Sequence, residues 1–179
     1  LVSLRGNVFL YNGEELGLTQ VDIPFEALRD PEAIANWPLT LSRDGARTPM
    51  PWRGDANDHA GFSSGLPWLP IGADHLALAV DRQDRNPESL LNLTRHLLAF
   101  RHASDALMRG DARVIEASET VLAIERTTAD ETMLCVFNMS SEPVEWRPAQ
   151  PDRWRAEETV GEVTDWRFGS YAAVIARRI

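Results

Sequence analysis

Apolar and polar positions along the chain change rhythm three times. Val8–Tyr11 is an unbroken apolar run, "VFLY", that stops abruptly at "NGEELG". A short continuous run closed by Asn-Gly predicts a buried strand opening into a loop. A strand apolar on both faces is the parallel-sheet type, covered by helices. From about Thr19 to Asn86 no period is sustained, and prolines recur at 24, 31, 38, 49, 51, 67 and 70. Within this stretch "DPEAIANW" predicts a short helix, with Asp30 as cap and Pro31 at the first helical position. The remainder reads as one long irregular loop, and loops of that length are usually functional or disordered. Phe25, Trp37, Trp52, Phe62 and Trp68 argue against disorder, and burial is expected for them.

Asn86-Pro87-Glu88 predicts a helix start: a cap, a proline at the first position and an acid in the first turn. Leu90, Leu93, Leu97 and Leu98 then form an apolar stripe of helical period, expected as core, and the helix should end between Arg101 and Asp105. After Gly110 the period becomes two. "RVIEAS", "VLAIERT" and "ETMLCVFN" predict three strands, "VEWR" a fourth, and "ETVGEVTDW" and "SYAAVIARR" close the chain. Short strands at this spacing predict an antiparallel sandwich. Two parts follow, residues 1–107 and 108–179. The first is unbalanced, because one buried parallel strand needs neighbours that one helix cannot replace. It reads as the tail of a larger α/β domain.

Composition narrows the function. The chain has 179 residues, 44% hydrophobic and 25% charged, with a net charge of -9. That balance is globular and opposes unspecific phosphate binding, so no nucleic-acid partner is expected. The single cysteine, Cys135, sits in an apolar run and reads as a small buried hydrophobe. It excludes an intrachain disulfide and a cysteine zinc cluster, and mildly favours the cytoplasm. The four histidines lack metal-ligand spacing, so no metal and no cofactor are expected in this portion. No apolar run approaches the roughly 18 residues of a membrane span.

The densest chemistry lies in "SRDGARTPMPW", Ser42 to Trp52. Sugar hydroxyls both donate and accept, so a rigid sugar site pairs an arginine fork with a carboxylate. Arg43 and Asp44 stand side by side on a loop stiffened by Pro49, Pro51 and Trp52. The competing reading is a structural salt bridge that pins the loop. Arg47 reads as a tie between the loop and a carboxylate on the body of the domain. Glu14 and Glu15, just past the first strand, read either as a catalytic carboxylate pair or as supports that bind loop amides or an arginine.

Four segments in order, "LRGNVFLYNGEELGL", "FEALRDPEAIANWP", "SRDGARTPMPW" and "AGFSSGLPWLP", resemble the C-terminal third of retaining α-glucosidases of the α-amylase superfamily. That group includes oligo-1,6-glucosidases and trehalulose synthases. The resemblance implies the end of a (β/α)₈ barrel, with Val8–Tyr11 as its eighth strand, followed by an antiparallel β-sandwich. It places the proline-rich loop at the strand C-terminal ends, where such barrels build their active sites. It implies that Arg43 binds the terminal glucose before the cleaved bond, that Asp44 supports it or touches the same hydroxyls, and that Glu32 contacts the sugar beyond that bond. Gln20 and Asp22 share the rim. Asn7-Val8 and Asn12 depart from the family's common Thr-Pro and Gln.

The family's catalytic Asp, Glu and second Asp match no position here, so this portion alone is expected to be inactive. Its partners are expected to be a short oligosaccharide or α-glucoside and the N-terminal remainder of its own barrel. The rivals are a non-catalytic relative of the transporter heavy-chain kind, a free-standing sugar-binding module, and a glucosyl transferase or sucrose isomerase.

Overall fold

A computed structural model describes residues 1–40 and 42–179. The chain divides into two compact units: Leu10–His96, and Leu1–Phe9 together with Leu97–Ile179.

The first unit is a loop scaffold with a small aliphatic core. Its helices are α1 (Pro31–Asn36), α2 (Val80–Asp84) and the first half of α3 (Leu90–Ala103), with short 3₁₀ segments at Glu14–Leu16, Phe25–Ala27, Arg43–Ala46 and Ala73–Leu78. Asp30 caps α1 as expected, accepting from the Glu32 amide, with Pro31 at the first position. Ile23, Leu28, Ala33 and Leu69 form one buried cluster, and Leu16, Met50 and Leu91 another. A polar hub sits beside the second cluster: the buried Gln83 donates to the carbonyls of Leu16 (2.8 Å) and Leu78 (2.9 Å) and accepts from the Leu91 amide (3.0 Å). One amide side chain thereby satisfies three backbone groups that no ladder reaches.

Several expectations need correction here. Phe25, Trp37, Trp52, Phe62 and Trp68 are not buried; each is between 44% and 56% exposed. A unit this small closes its core with aliphatic side chains and leaves large rings at its rim. Helix α3 begins at Leu90, not at Asn86. Asn86 instead accepts from the Glu88 amide in a turn, and Ser89 Oγ caps the helix at Asn92 (3.2 Å). Leu90 of the leucine stripe is 43% exposed, while Leu91, outside the stripe, is buried. Val8–Tyr11 forms no strand, and Phe9 is 81% exposed. A strand exists only through its partner's hydrogen bonds, and the strands of the described residues all lie from Asp111 onward, paired with one another.

The second unit is a two-sheet sandwich. The strands are β1 (Asp111–Ala117), β2 (Val121–Thr127), β3 (Thr132–Asn138), β4 (Val144–Glu145), β5 (Trp154–Val160), β6 (Val163–Thr164), β7 (Arg167–Phe168) and β8 (Ala173–Arg178). Five form an antiparallel sheet in the order β1-β2-β3-β8-β5, and β4-β7-β6 form a small second sheet. Alternation assigns the faces. Val121, Ala123, Leu134, Val136 and Val174 face the small sheet, which contributes Phe168, Val144 and Val163. Met133, Cys135 and Ile175 point the other way, onto Phe100 and onto Ala106 and Leu107 of α4 (Asp105–Arg109). β3 is therefore covered on both faces, which is why it reads as a nearly continuous apolar run. Burial pushes the Cys135 thiol up to about 12.

Polar groups fasten the edges of this unit. Glu131, in the β2–β3 turn, accepts from Ser104 Oγ and the Ala106 amide (both 2.7 Å) and pairs with Arg177 on β8. Burial alone would raise its pKa; these donors outweigh burial and lower it. Arg126 is fully buried and donates to the carbonyls of Ser3 (2.7 Å) and Gly110 (2.9 Å). Arg101, also buried, reaches those of Val2 (2.5 Å), Leu4 (3.0 Å) and Gly6 (2.7 Å). The first six residues, without regular structure, are held by these two guanidiniums.

Candidate functional site

The stretch Ser42–Trp52 begins as a 3₁₀ turn. Ser42 Oγ accepts from the Asp44 amide (3.0 Å), and the turn runs Arg43–Ala46. Its tightness depends on Gly45. The Val21 amide donates to the Gly45 carbonyl (3.1 Å), and a Cβ at position 45 would lie 2.2 Å from the Val21 oxygen. No side chain fits that backbone-to-backbone approach.

Two carboxylates interlock this turn with the start of α1. The side chain of Asp44 is buried and accepts from the amides of Arg29 (2.6 Å) and Asp30 (2.7 Å). Asp30, buried in turn, accepts from the Arg43 amide (3.1 Å) and from the Arg43 guanidinium at Nε (2.8 Å) and Nη2 (2.5 Å). Each carboxylate thus fixes the backbone that carries the other. The Arg43 fork is the main reason the Asp30 carboxyl is held well below the usual carboxylate range; burial opposes the shift. Asp30 in turn raises the Arg43 pKa.

Arg43 commits one edge of its planar fork to Asp30. A guanidinium has five N–H donors; Nε–H and one Nη2–H point at Asp30, which leaves three without a partner among the described residues. The side chain is 62% exposed against 0% for Asp30. This is an oriented donor array with its conformational freedom already removed, suited to oxygen acceptors such as hydroxyls or a carboxylate.

The other residues singled out from sequence are placed as follows. Asp44 faces inward and is buried. Arg47 approaches Asp44 Oδ1 at 3.9 Å with its own side chain 41% exposed. Glu32 is exposed on α1, where its carboxylate accepts from Asn36 (3.1 Å) and Thr40 (3.2 Å). Glu14 accepts from the Tyr11 amide (3.1 Å) and Glu15 from the Gly13 amide (2.9 Å), so each binds a loop amide. Gln20 donates to the Ser42 carbonyl (2.8 Å), which bolts the rim to the turn. Sequence reasoning missed Asp30 as Arg43's partner. It was legible only as a helix cap, and the pair lies 13 residues apart.

Among the described residues no group of three or more His, Cys, Asp or Glu is placed to hold a metal ion. None of their helices is long and apolar enough to cross a membrane.

With this geometry in hand, comparison with known proteins is informative. Residues 1–110 match the α-amylase catalytic domain, and residues 112–167 match the maltogenic amylase C-terminal domain. A probable α-glucosidase of Rhizobium meliloti is 44% identical over 142 residues, which is 79% of this chain and 25% of that protein. The solved structure of an α-glucosyl transfer enzyme superposes over 100% of this chain and 34% of its own, with a TM-score of 0.90 and 39% identity. An isomaltulose synthase from Erwinia rhapontici superposes over 98% of this chain and 36% of its own, with a TM-score of 0.83 and 25% identity. The chain thus spans about a quarter to a third of the length of these relatives. The architecture is the end of a (β/α)₈ barrel followed by an antiparallel β-sandwich, and the chain belongs to the α-amylase family.

Proposed function

We propose that this chain is the C-terminal portion of a retaining, exo-acting α-glucosidase that hydrolyses short α-glucosides. In this reading residues 1–107 complete the catalytic barrel and 108–179 form the appended sandwich. The remaining barrel is supplied by an N-terminal part of the same protein, in the cytoplasm. The observation that carries the reading is the Arg43 fork: half is fixed by a buried carboxylate and half is presented outward.

The chemistry needs two carboxyl groups roughly 5 to 5.5 Å apart, one to attack the anomeric carbon and one to protonate the leaving oxygen. Those groups belong to the upstream part, and without them this portion has no route to a glycosyl-enzyme intermediate. Its own role is positional. Arg43 grips hydroxyls of the terminal glucose, Asp30 and Asp44 hold Arg43 in register, and Glu32 meets the sugar beyond the cleaved bond. Arg47, Glu14 and Glu15 keep the surrounding loops in place. Holding the reacting bond in a fixed geometry removes entropy from the barrier before the chemistry begins.

Glucosyl transfer or sucrose isomerisation is the second reading, favoured by the likeness to the α-glucosyl transfer enzyme. The two differ in whether water or a sugar hydroxyl reaches the intermediate. The first experiment is the intact mass of the natural polypeptide, followed by its products on maltose, isomaltose and sucrose. A barrel of about 250 residues requires a species far heavier than the 20.0 kDa of this chain. Release of glucose as the α-anomer supports hydrolysis, and new disaccharides support transfer. A natural product of 20.0 kDa overturns both.

A further inference from the structure

One buried polar side chain of the loop unit has no part in the site described above. His75 is 2% exposed and sits on the 3₁₀ segment Ala73–Leu78. Its Nε2 lies 2.9 Å from the carbonyl oxygen of Thr19, 56 residues away along the chain. A carbonyl can only accept, so Nε2 carries a hydrogen and donates it. The other ring nitrogen, Nδ1, is buried and has no partner among the described residues. The ring therefore makes one bond across the fold, and that bond goes to the backbone of residue 19.

Thr19–Val21 forms a strap between His75 and the Arg43 turn. Each of its three residues makes one tie. Thr19 accepts from His75, the Gln20 side chain donates to the Ser42 carbonyl (2.8 Å), and the Val21 amide donates to the Gly45 carbonyl (3.1 Å). Close backbone packing adds to these ties. A Cβ at Gly45 would lie 2.2 Å from the Val21 oxygen and 2.7 Å from Gln20 Cγ. A Cβ at Gly72 would lie 2.7 Å from Val21 Cγ2 and 2.9 Å from His75 Nδ1. Two glycines thus let the turn, the strap and the imidazole lie in contact. Thr19 and Gln20 are exposed, so core packing does not hold that end of the strap and the hydrogen bonds must. Asp30 and Asp44 fasten the Arg43 turn to the start of α1, and the strap fastens its flanks, Ser42 and Gly45, to His75. We propose that His75 is a positioning residue for Arg43, acting through the Thr19–Val21 strap to fix where the outward edge of the fork stands. Being buried, His75 touches no substrate itself. The inference rests on the reading of Arg43 as the group that grips the terminal sugar.

The test uses the full-length enzyme and p-nitrophenyl α-glucoside, whose nitrophenol release reports cleavage whether water or a sugar takes the glucosyl group. His75→Phe keeps a ring and loses the N–H. It should raise KM about fivefold or more and change kcat less than about twofold. A merely structural role would instead lower the active fraction, and so the apparent kcat, at constant KM. His75→Gln keeps an N–H donor and should bring KM back to within about twofold of the parent. In an Arg43→Lys background His75→Phe should add less than about twofold, because both changes act on one group. An unchanged KM in His75→Phe overturns the proposal. So does a full fivefold rise on top of Arg43→Lys, or a His75→Gln variant no better than His75→Phe. If the phenylalanine variant does not fold, His75→Asn, with its shorter amide, takes its place. Hydrogen exchange at the Val21 amide gives a readout that needs no turnover. It should quicken about fivefold or more in His75→Phe while sandwich amides keep their protection, and unchanged Val21 exchange overturns the proposal. A parent inactive on the glucoside sinks the glucosidase reading alone, and the exchange result then decides whether His75 sets the turn.

Discussion

The two units reach order by different means. The sandwich is built on apolar contact: Leu134 and Val136 pack on one face of β3 and Met133 and Cys135 on the other, and polar groups fasten its periphery. The loop unit has two small aliphatic clusters and is shaped largely by buried polar groups that take up backbone amides and carbonyls: Asp44, Asp30 and Gln83. A sheet satisfies its own backbone; an irregular loop must import partners, and each import is a side chain in one fixed place. That places oriented polar groups next to a candidate binding residue, and it makes the loop unit dependent on single carboxylates.

Mutations can break or sharpen this contrast. Leu134→Ala in the sandwich should cost about 2–5 kcal/mol, read by denaturant unfolding of the full-length protein. An effect below the cost of Leu69→Ala in the loop unit would contradict the account of a core-driven sandwich. Asp44→Ala removes no apolar contact but orphans the Arg29 and Asp30 amides, for about 1–3 kcal/mol per group. It should also loosen Arg43. A variant as stable and as active as the parent would remove the interlocked carboxylates from the argument.

Arg43→Lys keeps the charge beside Asp30 and loses the fork. At about 1.5–3 kcal/mol per charge-assisted bond, kcat/KM of the full-length enzyme should fall roughly tenfold to a hundredfold, with little change in melting temperature. Retained activity would mean that the outward edge of the fork binds nothing.

Acid probes the same clasp. The Asp30 pKa is depressed in the folded state, so its contribution is fully present above the ordinary carboxylate value near about 3.9. That contribution is lost as pH falls from there toward the folded value. Asp30→Asn should flatten the acid limb of a stability-versus-pH curve, and an unchanged limb would assign acid sensitivity elsewhere. The smallest effect belongs to Arg155→Ala, whose partner Glu157 lies on the same exposed strand. It should stay within about 0.5 kcal/mol.

How far the sequence reached depends on the range of the cause. The β1–β2–β3 meander was readable because short β-prone runs and the turn residues between them are local signals. The Asp30–Pro31 cap was readable for the same reason. That the same Asp30 would hold Arg43 was not, since a pair formed across a fold leaves no local signature. Arg43 and Asp44 look equivalent in sequence, and only the 3₁₀ turn decides that one faces out and the other in. The exposed aromatics and the unpaired Val8–Tyr11 mark the limit from the other side: composition says that these groups want partners, and cannot say where the partners are.

The arginine ties at the N-terminal segment set up one more behaviour. Arg101 and Arg126 bind carbonyl oxygens, not carboxylates, and Arg126 is sealed from solvent. Surface ion pairs fade as salt shortens the screening length. A guanidinium gripping backbone dipoles in a dry setting has no counter-charge for salt to mask. The leading six residues should therefore stay clamped to the sandwich in strong brine, and trypsin should find Arg5 no easier to cut there than in dilute buffer.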